Sequence, residues 1–392
     1  MSKQDVCIVV ATPPEAIKMA RSVMLQTIEL FASLIAEQDS TVEILDQALR
    51  AFGLQPDVDL DLMQAGQTLA DVTARVVTSA FRFLDRHRPA AVLVQGDTTT
   101  VLGASLAAFY AGLPVGHVEA GLRTHNLQSP WPEEMNRRLV APLARWHFCP
   151  TSVNRRHLLN EGVPDSQCYV TGNTVIDALT WMRRRLADEG YSMVDQAARL
   201  RIDESFVRRF LTSTDSRWIL VTGHRRESHG DGLARVCESI LRIAREHPDV
   251  GVLFPVHLNP RVRQSVLKLL SGHERIALID PVGYEDFIAL MSRCMFLISD
   301  SGGVQEEAPS FGKPVLVTRE TTERSEAIEA GTCRLVGTDP DVIFGEADLL
   351  LRDRLELGRR SGLRNPYGDG TAAQKICEIL EVSLRDGAAK DP

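Results

Sequence analysis

Short apolar runs alternate with longer stretches of helical period along most of the chain. Val6–Ala11 is the first apolar run and predicts a strand. From Glu15 to Gln38 apolar residues recur three and four apart, at Ile17, Ala20, Met24, Ile28, Phe31 and Ile35, which predicts an amphipathic helix. Ala90–Gln95 is apolar almost throughout and stops at Gly96-Asp97, as a parallel strand buried on both faces would. Val101–Tyr110 is small and apolar and predicts a buried helix. Val115–Val118, His147–Cys149 and Cys168–Val170 predict further strands.

The pattern changes over Thr180–Asp215, which is Arg-rich and only weakly periodic, and restarts at the strand Trp218–Thr222. Helices are then predicted at Leu233–Glu246, Pro260–Leu270 and Tyr284–Arg293, and strands at Val250–Pro255, Ile276–Ile279, Phe296–Ser299 and Pro314–Val317. Such alternation implies an α/β chain whose parallel sheets are covered by helices on both faces. The restart implies two sheets, with a boundary in 172–217, drawn as domains 1–172 and 173–369. No repeat of 20–50 residues stands out, and the tail Ala388–Pro392 is expected to fray.

Composition narrows the class. With 392 residues, of which 44% are hydrophobic and 24% charged, the chain reads as an ordinary globular protein and not as a disordered or fibrous one. No apolar run reaches the roughly 18 residues of a membrane-spanning helix, and the polar start lacks the marks of a signal peptide, so no membrane role and a cytoplasmic compartment are expected. A net charge of −8 argues against nucleic acid as partner. It leaves room for an anionic ligand held by local cations and helix N-termini. The seven cysteines are scattered and never spaced as C-x-x-C, which predicts buried thiols rather than disulfides or a zinc site.

Ligands of parallel sheets bind at the carboxyl ends of strands, so polar residues just after a strand carry the most weight. Asp300-Ser301-Gly302-Gly303 follows one strand and opens a short helix. Its glycines let backbone approach a pyrophosphate, and free N–H groups point at it; a plain capped turn is the alternative. Of Glu306 and Glu307, one can complement the helix dipole and the other accept from a ribose diol. Thr222 to Ser228 packs His224, Arg225 and Arg226 after another strand, either against a diphosphate leaving group or as a solvated charge run. In the first half, Asp97 and Glu119 follow strands and Glu133-Glu134 opens a helix. Asp97 can alternatively cap the helix after it, and the glutamates can simply serve a dipole. Carboxylates in one half and a phosphate-like site in the other suggest acid–base chemistry on a ligand whose phosphates are held elsewhere. The NTPase, dinucleotide, zinc-protease and serine-hydrolase motifs are absent.

In order along the chain, PEAIKMA (14–20), QGDTTT (95–100), HVEAGLRT (117–124), SPWPEEMNRR (129–138), TGNTVIDAL (171–179), TGHRRES (222–228), PVHLNP (255–260), SDSGGVQEEAPSFGKPVL (299–316) and TTERSEAIEAGTCRLVGTD (321–339) resemble the non-hydrolysing UDP-N-acetylglucosamine 2-epimerases. The resemblance implies a GT-B-like fold: two Rossmann-like doubly wound parallel-sheet domains around a central cleft, with a C-terminal helix at about 370–388 packed back on the first. It implies interconversion of UDP-GlcNAc and UDP-ManNAc with no nicotinamide cofactor or essential metal, by a homodimer. The C2 hydrogen of the hexose is not acidic until UDP leaves C1, so elimination to 2-acetamidoglucal and re-addition of UDP, with proton delivery to the other face, make sense of several carboxylates. By motif match Asp97, Glu119 and Glu133 correspond to the catalytic carboxylates, and His224 stands beside the departing diphosphate. Lys18, Arg137, Arg225, Ser301, Gly302, Gly303 and Glu307 correspond to substrate-binding positions, Glu307 at the ribose.

Two positions depart from the family pattern. Where members open with G-T-R-P-E-A-I-K, the arginine position here is Pro13. A charged hydrogen bond to phosphate, worth about 1.5–3 kcal/mol, is lost with it. The T-G-Q-H-R-like segment tied to a second, activating substrate site reads Asp39 to Glu43 here. The competing readings are a hydrolysing epimerase that releases ManNAc and UDP, a UDP-sugar-binding protein with weakened catalysis, and a GT-B glycosyltransferase.

Overall fold

The computed structural model describes residues 5–24, 30–33, 39–60, 62, 66–212, 216–223 and 231–388. Two compact units divide the chain: Met1–Thr180 with Tyr367–Pro392, and Trp181–Pro366. The division falls inside the helix Thr174–Asp188.

The first unit runs β1 (Val6–Val10), α1 (Pro13–Met24), β2 (Leu30–Ser33), α2 (Asp39–Ala51), β3 (Val58–Asp59), α3 (Leu69–His87), β4 (Ala91–Gln95), α4 (Thr99–Tyr110), β5 (Val115–Val118), α5 (Glu133–Val140), β6 (Trp146–Cys149), α6 (Ser152–Asn160), β7 (Cys168–Val170) and α7 (Thr174–Asp188). Its seven strands are parallel, in the order β3-β2-β1-β4-β5-β6-β7. Alternate residues of one strand feed opposite faces, as strand geometry demands. Cys7 and Val9 pack with Val76, Leu84, Val101 and Ala104. Ile8 and Val10 pack with Met19, Phe148 and Ile376. The order reverses between β1 and β4, which leaves a crevice at their carboxyl ends.

The second unit adds α8 (Met193–Arg199), α9 (Glu204–Phe210), β8 (Trp218–Thr222), α10 (Asp231–Glu246), β9 (Gly251–Pro255), α11 (Pro260–Leu270), β10 (Ile276–Ile279), α12 (Tyr284–Arg293), β11 (Leu297–Ser299), α13 (Gly302–Glu307), β12 (Val315–Val317), α14 (Ser325–Glu329), β13 (Cys333–Leu335), α15 (Pro340–Arg352) and α16 (Arg354–Ser361). Its parallel order, β10-β9-β8-β11-β12-β13, reverses between β8 and β11. Both sheets are parallel, as the alternation predicted, and both units are Rossmann-like, as the resemblance implied. A last helix, α17 (Ala372–Ala388), belongs to the first unit. Asp177 of α7 caps it, accepting from the N–H groups of Ala372 and Ala373 at 3.1 and 2.9 Å.

The helix expected over Glu15–Gln38 is instead α1 followed by a strand. Leu30–Ser33 lies parallel to β1, from Cys7↔Leu30 to Val10↔Ser33. Four apolar-rich residues satisfy a helical period and a buried strand equally well, and the open edge of β1 decides between them. The weakly periodic stretch after Thr180 is helical, in the rest of α7 and in α8 and α9. All seven cysteines are buried. Among the described residues no helix is long and apolar enough to cross a membrane.

Candidate active site

The turn after β4 is pinned from two sides. Gly96 has φ +86°, a backbone open to glycine at little cost. Its carbonyl accepts from His117 Nε2 at 2.7 Å, and the Asp97 carbonyl accepts from Asn136 Nδ2 at 2.8 Å. The Asp97 carboxylate takes Arg137 Nε and Nη2 on Oδ2, at 2.9 and 2.5 Å. Asp97 is not the helix cap. Thr98 is, its hydroxyl accepting from Val101 N at 3.3 Å. The carboxylate is thereby left to Arg137. Burial holds His117 neutral, with its pKa pushed down to about 4.

Glu119 follows β5 in a left-handed backbone, φ +65°, which costs a residue with a Cβ about 1–2 kcal/mol. Its Oε1 accepts from Lys18 Nζ at 2.5 Å and from Asn173 Nδ2 at 3.4 Å, and its Oε2 from Gln95 Nε2. The Asn173 amide is fixed in this sense, because its Oδ1 accepts from Val175 N at 3.0 Å. A Cβ built on Gly96 would stand 3.8 Å from Glu119 Oε2, so this carboxylate lies against the turn that carries Asp97. Lys18, a substrate-binding position by motif, pairs with Glu119 in this unit.

The acidic pair that opens α5 splits into two roles. Glu134 is fully buried and completely engaged: its oxygens accept from Thr124 N at 3.0 Å, His125 N at 3.1 Å and Arg137 Nη1 at 3.1 Å. It joins the preceding loop to the helix. Glu133 Oε2 is buried with no hydrogen-bond partner. A carboxylate oxygen taken out of water without a donor costs free energy that a ligand can return. One helix, α5, thus carries this open carboxylate, the Arg137 that holds Asp97, and Asn136.

Sequence reasoning passed over Gln95, Asn136, Asn173 and Glu15. Glu15 is 3% exposed and accepts three hydrogen bonds: Ala11 N at 2.6 Å and Thr12 N at 3.1 Å on Oε2, and Thr98 Oγ1 at 2.9 Å on Oε1. Burial, helped by the nearby Asp97 charge, outweighs these donors and raises its pKa to about 8. Gln95 was legible as the polar end of an apolar run, and Asn173 from its motif.

In the second unit Thr222 Oγ1 meets Ser299 Oγ at 2.6 Å across the paired ends of β8 and β11, and Ser299 Oγ accepts from Ser301 N at 3.0 Å. This sets the turn into α13, where Ser301 is the N-cap but makes no side-chain cap bond. A Cβ on Gly303 would meet nothing nearer than Ser301 Oγ at 3.9 Å, so this face of the turn is open. A Cβ on Gly302 would fall 2.7 Å from Arg324 Cζ: the guanidinium lies on the glycine. Arg324 pairs with Glu306 at 3.0 Å and with Glu323. Glu307 accepts from Tyr284 Oη at 3.2 Å, and burial with that carboxylate raises the phenol pKa well above its usual value. His224 and Arg225 lie outside the described residues.

The first unit therefore gathers Lys18, Asp97, Glu119 and Arg137 at the ends of β4 and β5, and the second gathers Ser301, Gly302, Gly303 and Glu307 at the end of β11. Two cation-held carboxylates and one with an open oxygen can accept, hold and return a proton. A glycine turn on a new helix suits a phosphate. Among the described residues no cluster of three or more His, Cys, Asp or Glu could hold a metal ion.

Comparison with known proteins bears on this arrangement. Residues 30–381 match the family described as UDP-N-acetylglucosamine 2-epimerase. The chain is 49% identical over 374 residues to the UDP-N-acetylglucosamine 2-epimerase of Yersinia pestis, covering 95% of this chain and 97% of that one. It is 48% identical to the Escherichia coli K12 enzyme of the same name, at the same coverage. The crystal structure of UDP-GlcNAc 2-epimerase from Neisseria meningitidis bound to UDP-GlcNAc superposes with a TM-score of 0.86 at 43% identity, over 96% of this chain and 100% of that one.

Proposed function

The chain belongs to the UDP-N-acetylglucosamine 2-epimerase family, and from that premise we propose that it interconverts UDP-GlcNAc and UDP-ManNAc without hydrolysis. A carboxylate takes the proton from C2 as the C1–O bond breaks, and the bonding pair leaves with UDP. The intermediate is 2-acetamidoglucal. Proton return to the opposite face of C2 and re-addition of UDP at C1 give the epimer. Asp97, Glu119 and Glu133 handle the proton and stabilise the positive charge that grows at C1. Ser301, Gly302 and Gly303, with His224 and Arg225, hold the diphosphate, and Glu307 the ribose hydroxyls. Lys18 and Arg137 meet the substrate while setting the charge of the carboxylates they hold.

The observation that carries this reading is the unpartnered, buried Oε2 of Glu133 on the helix whose Arg137 grips Asp97. The test is product analysis with UDP-GlcNAc. UDP-ManNAc forming first, with no free ManNAc, supports the reading. Free ManNAc accumulating from the start identifies the hydrolysing alternative.

We further propose that the chain works as a homodimer. Phe109 and Tyr110 at the end of α4 and Trp131 just before α5 are each about 60% exposed, and Met135 and Leu139 of α5 are exposed as well. Exposed apolar side chains on two helices that pack together suit an association surface. Light scattering at the mass of two chains supports this, and a monomer at micromolar concentration contradicts it.

A further inference from the structure

In nucleotide-binding sheets the N–H groups of the turn after the first strand, at the switch point, cradle a ligand phosphate. Here that turn is closed. Pro13 and Pro14 carry no N–H, and the N–H groups of Ala11 and Thr12 both point at Glu15 Oε2, at 2.6 and 3.1 Å. The protein's own carboxyl thus occupies the place of the anion. Its other oxygen accepts from Thr98, the cap of α4 and the residue after Asp97. One helical turn further along α1, Lys18 reaches Glu119.

We propose that Glu15 is a positioning residue, an internal stand-in for a ligand phosphate that ties the β1–α1 turn to the β4–α4 turn and so holds Asp97 and Lys18 in register for the reaction. This rests on the reading of Asp97 and Glu119 as catalytic. The geometry has a consequence for substitution. Glutamine can keep every contact: its carbonyl accepts from Ala11 and Thr12, and its amide donates to the Thr98 hydroxyl. That hydroxyl has a second lone pair for Val101 N–H. With the pKa of Glu15 raised to about 8, glutamine also matches the protonated form. Alanine frees both turns and strands two buried N–H groups.

The experiment compares wild type, Glu15→Gln, Glu15→Ala and Thr98→Val in the full chain. It measures C2 hydrogen exchange at saturating UDP-GlcNAc, UDP affinity and thermal unfolding. Glu15→Gln is expected to keep kcat within about threefold, and Glu15→Ala to lose about thirtyfold or more. UDP affinity is expected to stay within about twofold in both, since the nucleotide is assigned to the second unit. If Glu15→Ala does not fold, Thr98→Val carries the test, with a kcat loss of about tenfold at unchanged UDP affinity. Glu15→Ala, or in its stead Thr98→Val, at wild-type kcat overturns the inference. So does Glu15→Gln failing as badly as alanine, or a loss that lies wholly in UDP affinity. A wild type that shows no C2 exchange defeats the catalytic reading itself, and is recognised before any variant is compared.

Discussion

Lys18 Nζ stands 2.5 Å from Glu119 Oε1, and both side chains are nearly buried, at 10% and 9% exposure. The pairing joins α1 to the end of β5 and gives Glu119 a fixed counter-charge in a place where water screens little. Removing one partner of such a pair leaves the other uncompensated, at a cost of about 3–5 kcal/mol. Lys18→Met is therefore expected to slow C2 exchange about tenfold or more by leaving the Glu119 charge uncompensated. Exchange at the wild-type rate would show that Lys18 does not support Glu119 in the reaction.

Adjacent residues Glu133 and Glu134 predict opposite phenotypes. Glu134 is fully buried and holds two backbone N–H groups and Arg137, so Glu134→Gln is expected to cost about 3 kcal/mol of stability in urea unfolding. Glu133 Oε2 has no partner to lose. Glu133→Gln is expected to leave the unfolding midpoint in place and to lower kcat about a hundredfold or more. Reversed outcomes would exchange the two roles.

Gly302 is where Arg324 reaches the turn into α13. An added methyl group meets the far end of a flexible side chain at 2.7 Å, so the backbone survives and the guanidinium moves. Gly302→Ala is expected to weaken UDP binding about tenfold or more in calorimetry, about 1.4 kcal/mol, and to lower the melting temperature as Arg324 shifts from Glu306 and Glu323. Unaltered UDP affinity would remove this turn from the nucleotide site.

His147 is fully buried in β6 and pairs in register with His117 of β5. Burial lowers its pKa to about 3 and that of His117 to about 4. The unfolded chain, with ordinary histidines near 6.5, binds protons that the folded protein refuses. Their contribution is thus intact above about pH 6.5 and is lost as the pH falls toward 4. The loss is about 1.4 kcal/mol per pH unit for each histidine. In denaturant titrations the stability gap between wild type and His147→Phe should widen in favour of the variant at that slope below pH 6.5. A gap independent of pH would contradict it.

The strands that bear the site were legible because each is a short apolar run that stops at a polar residue or glycine, as at Gln95-Gly96-Asp97, Val118-Glu119 and Ser299-Asp300-Ser301. β2 was not, since Leu30–Ser33 fits either period and only pairing with β1 resolves it. The carboxylates Asp97, Glu119 and Glu133 stood out as acids at strand and helix ends. Lys18 and Arg137 stood out only by motif, and their pairing with these carboxylates did not. Arg137 lies 40 residues from Asp97, and Lys18 lies 101 residues from Glu119, distances that only the sheet order closes. Glu15 has no role assigned from sequence. Its hydrogen bond to Thr98, 83 residues on, is a product of the β1–β4 adjacency.

The central claim is that carboxylates of the first unit move the C2 hydrogen of UDP-GlcNAc, and the most direct measurement is proton NMR of that substrate turning over in heavy water. Wild type is expected to replace the C2 hydrogen with deuterium. Asp97→Asn and Glu119→Gln, each folded and still binding UDP, are expected to do so about a thousandfold more slowly, a loss of about 4 kcal/mol of transition-state stabilisation. UDP-ManNAc formed by the wild type with its C2 hydrogen retained, or either variant exchanging at close to the wild-type rate, would contradict the account.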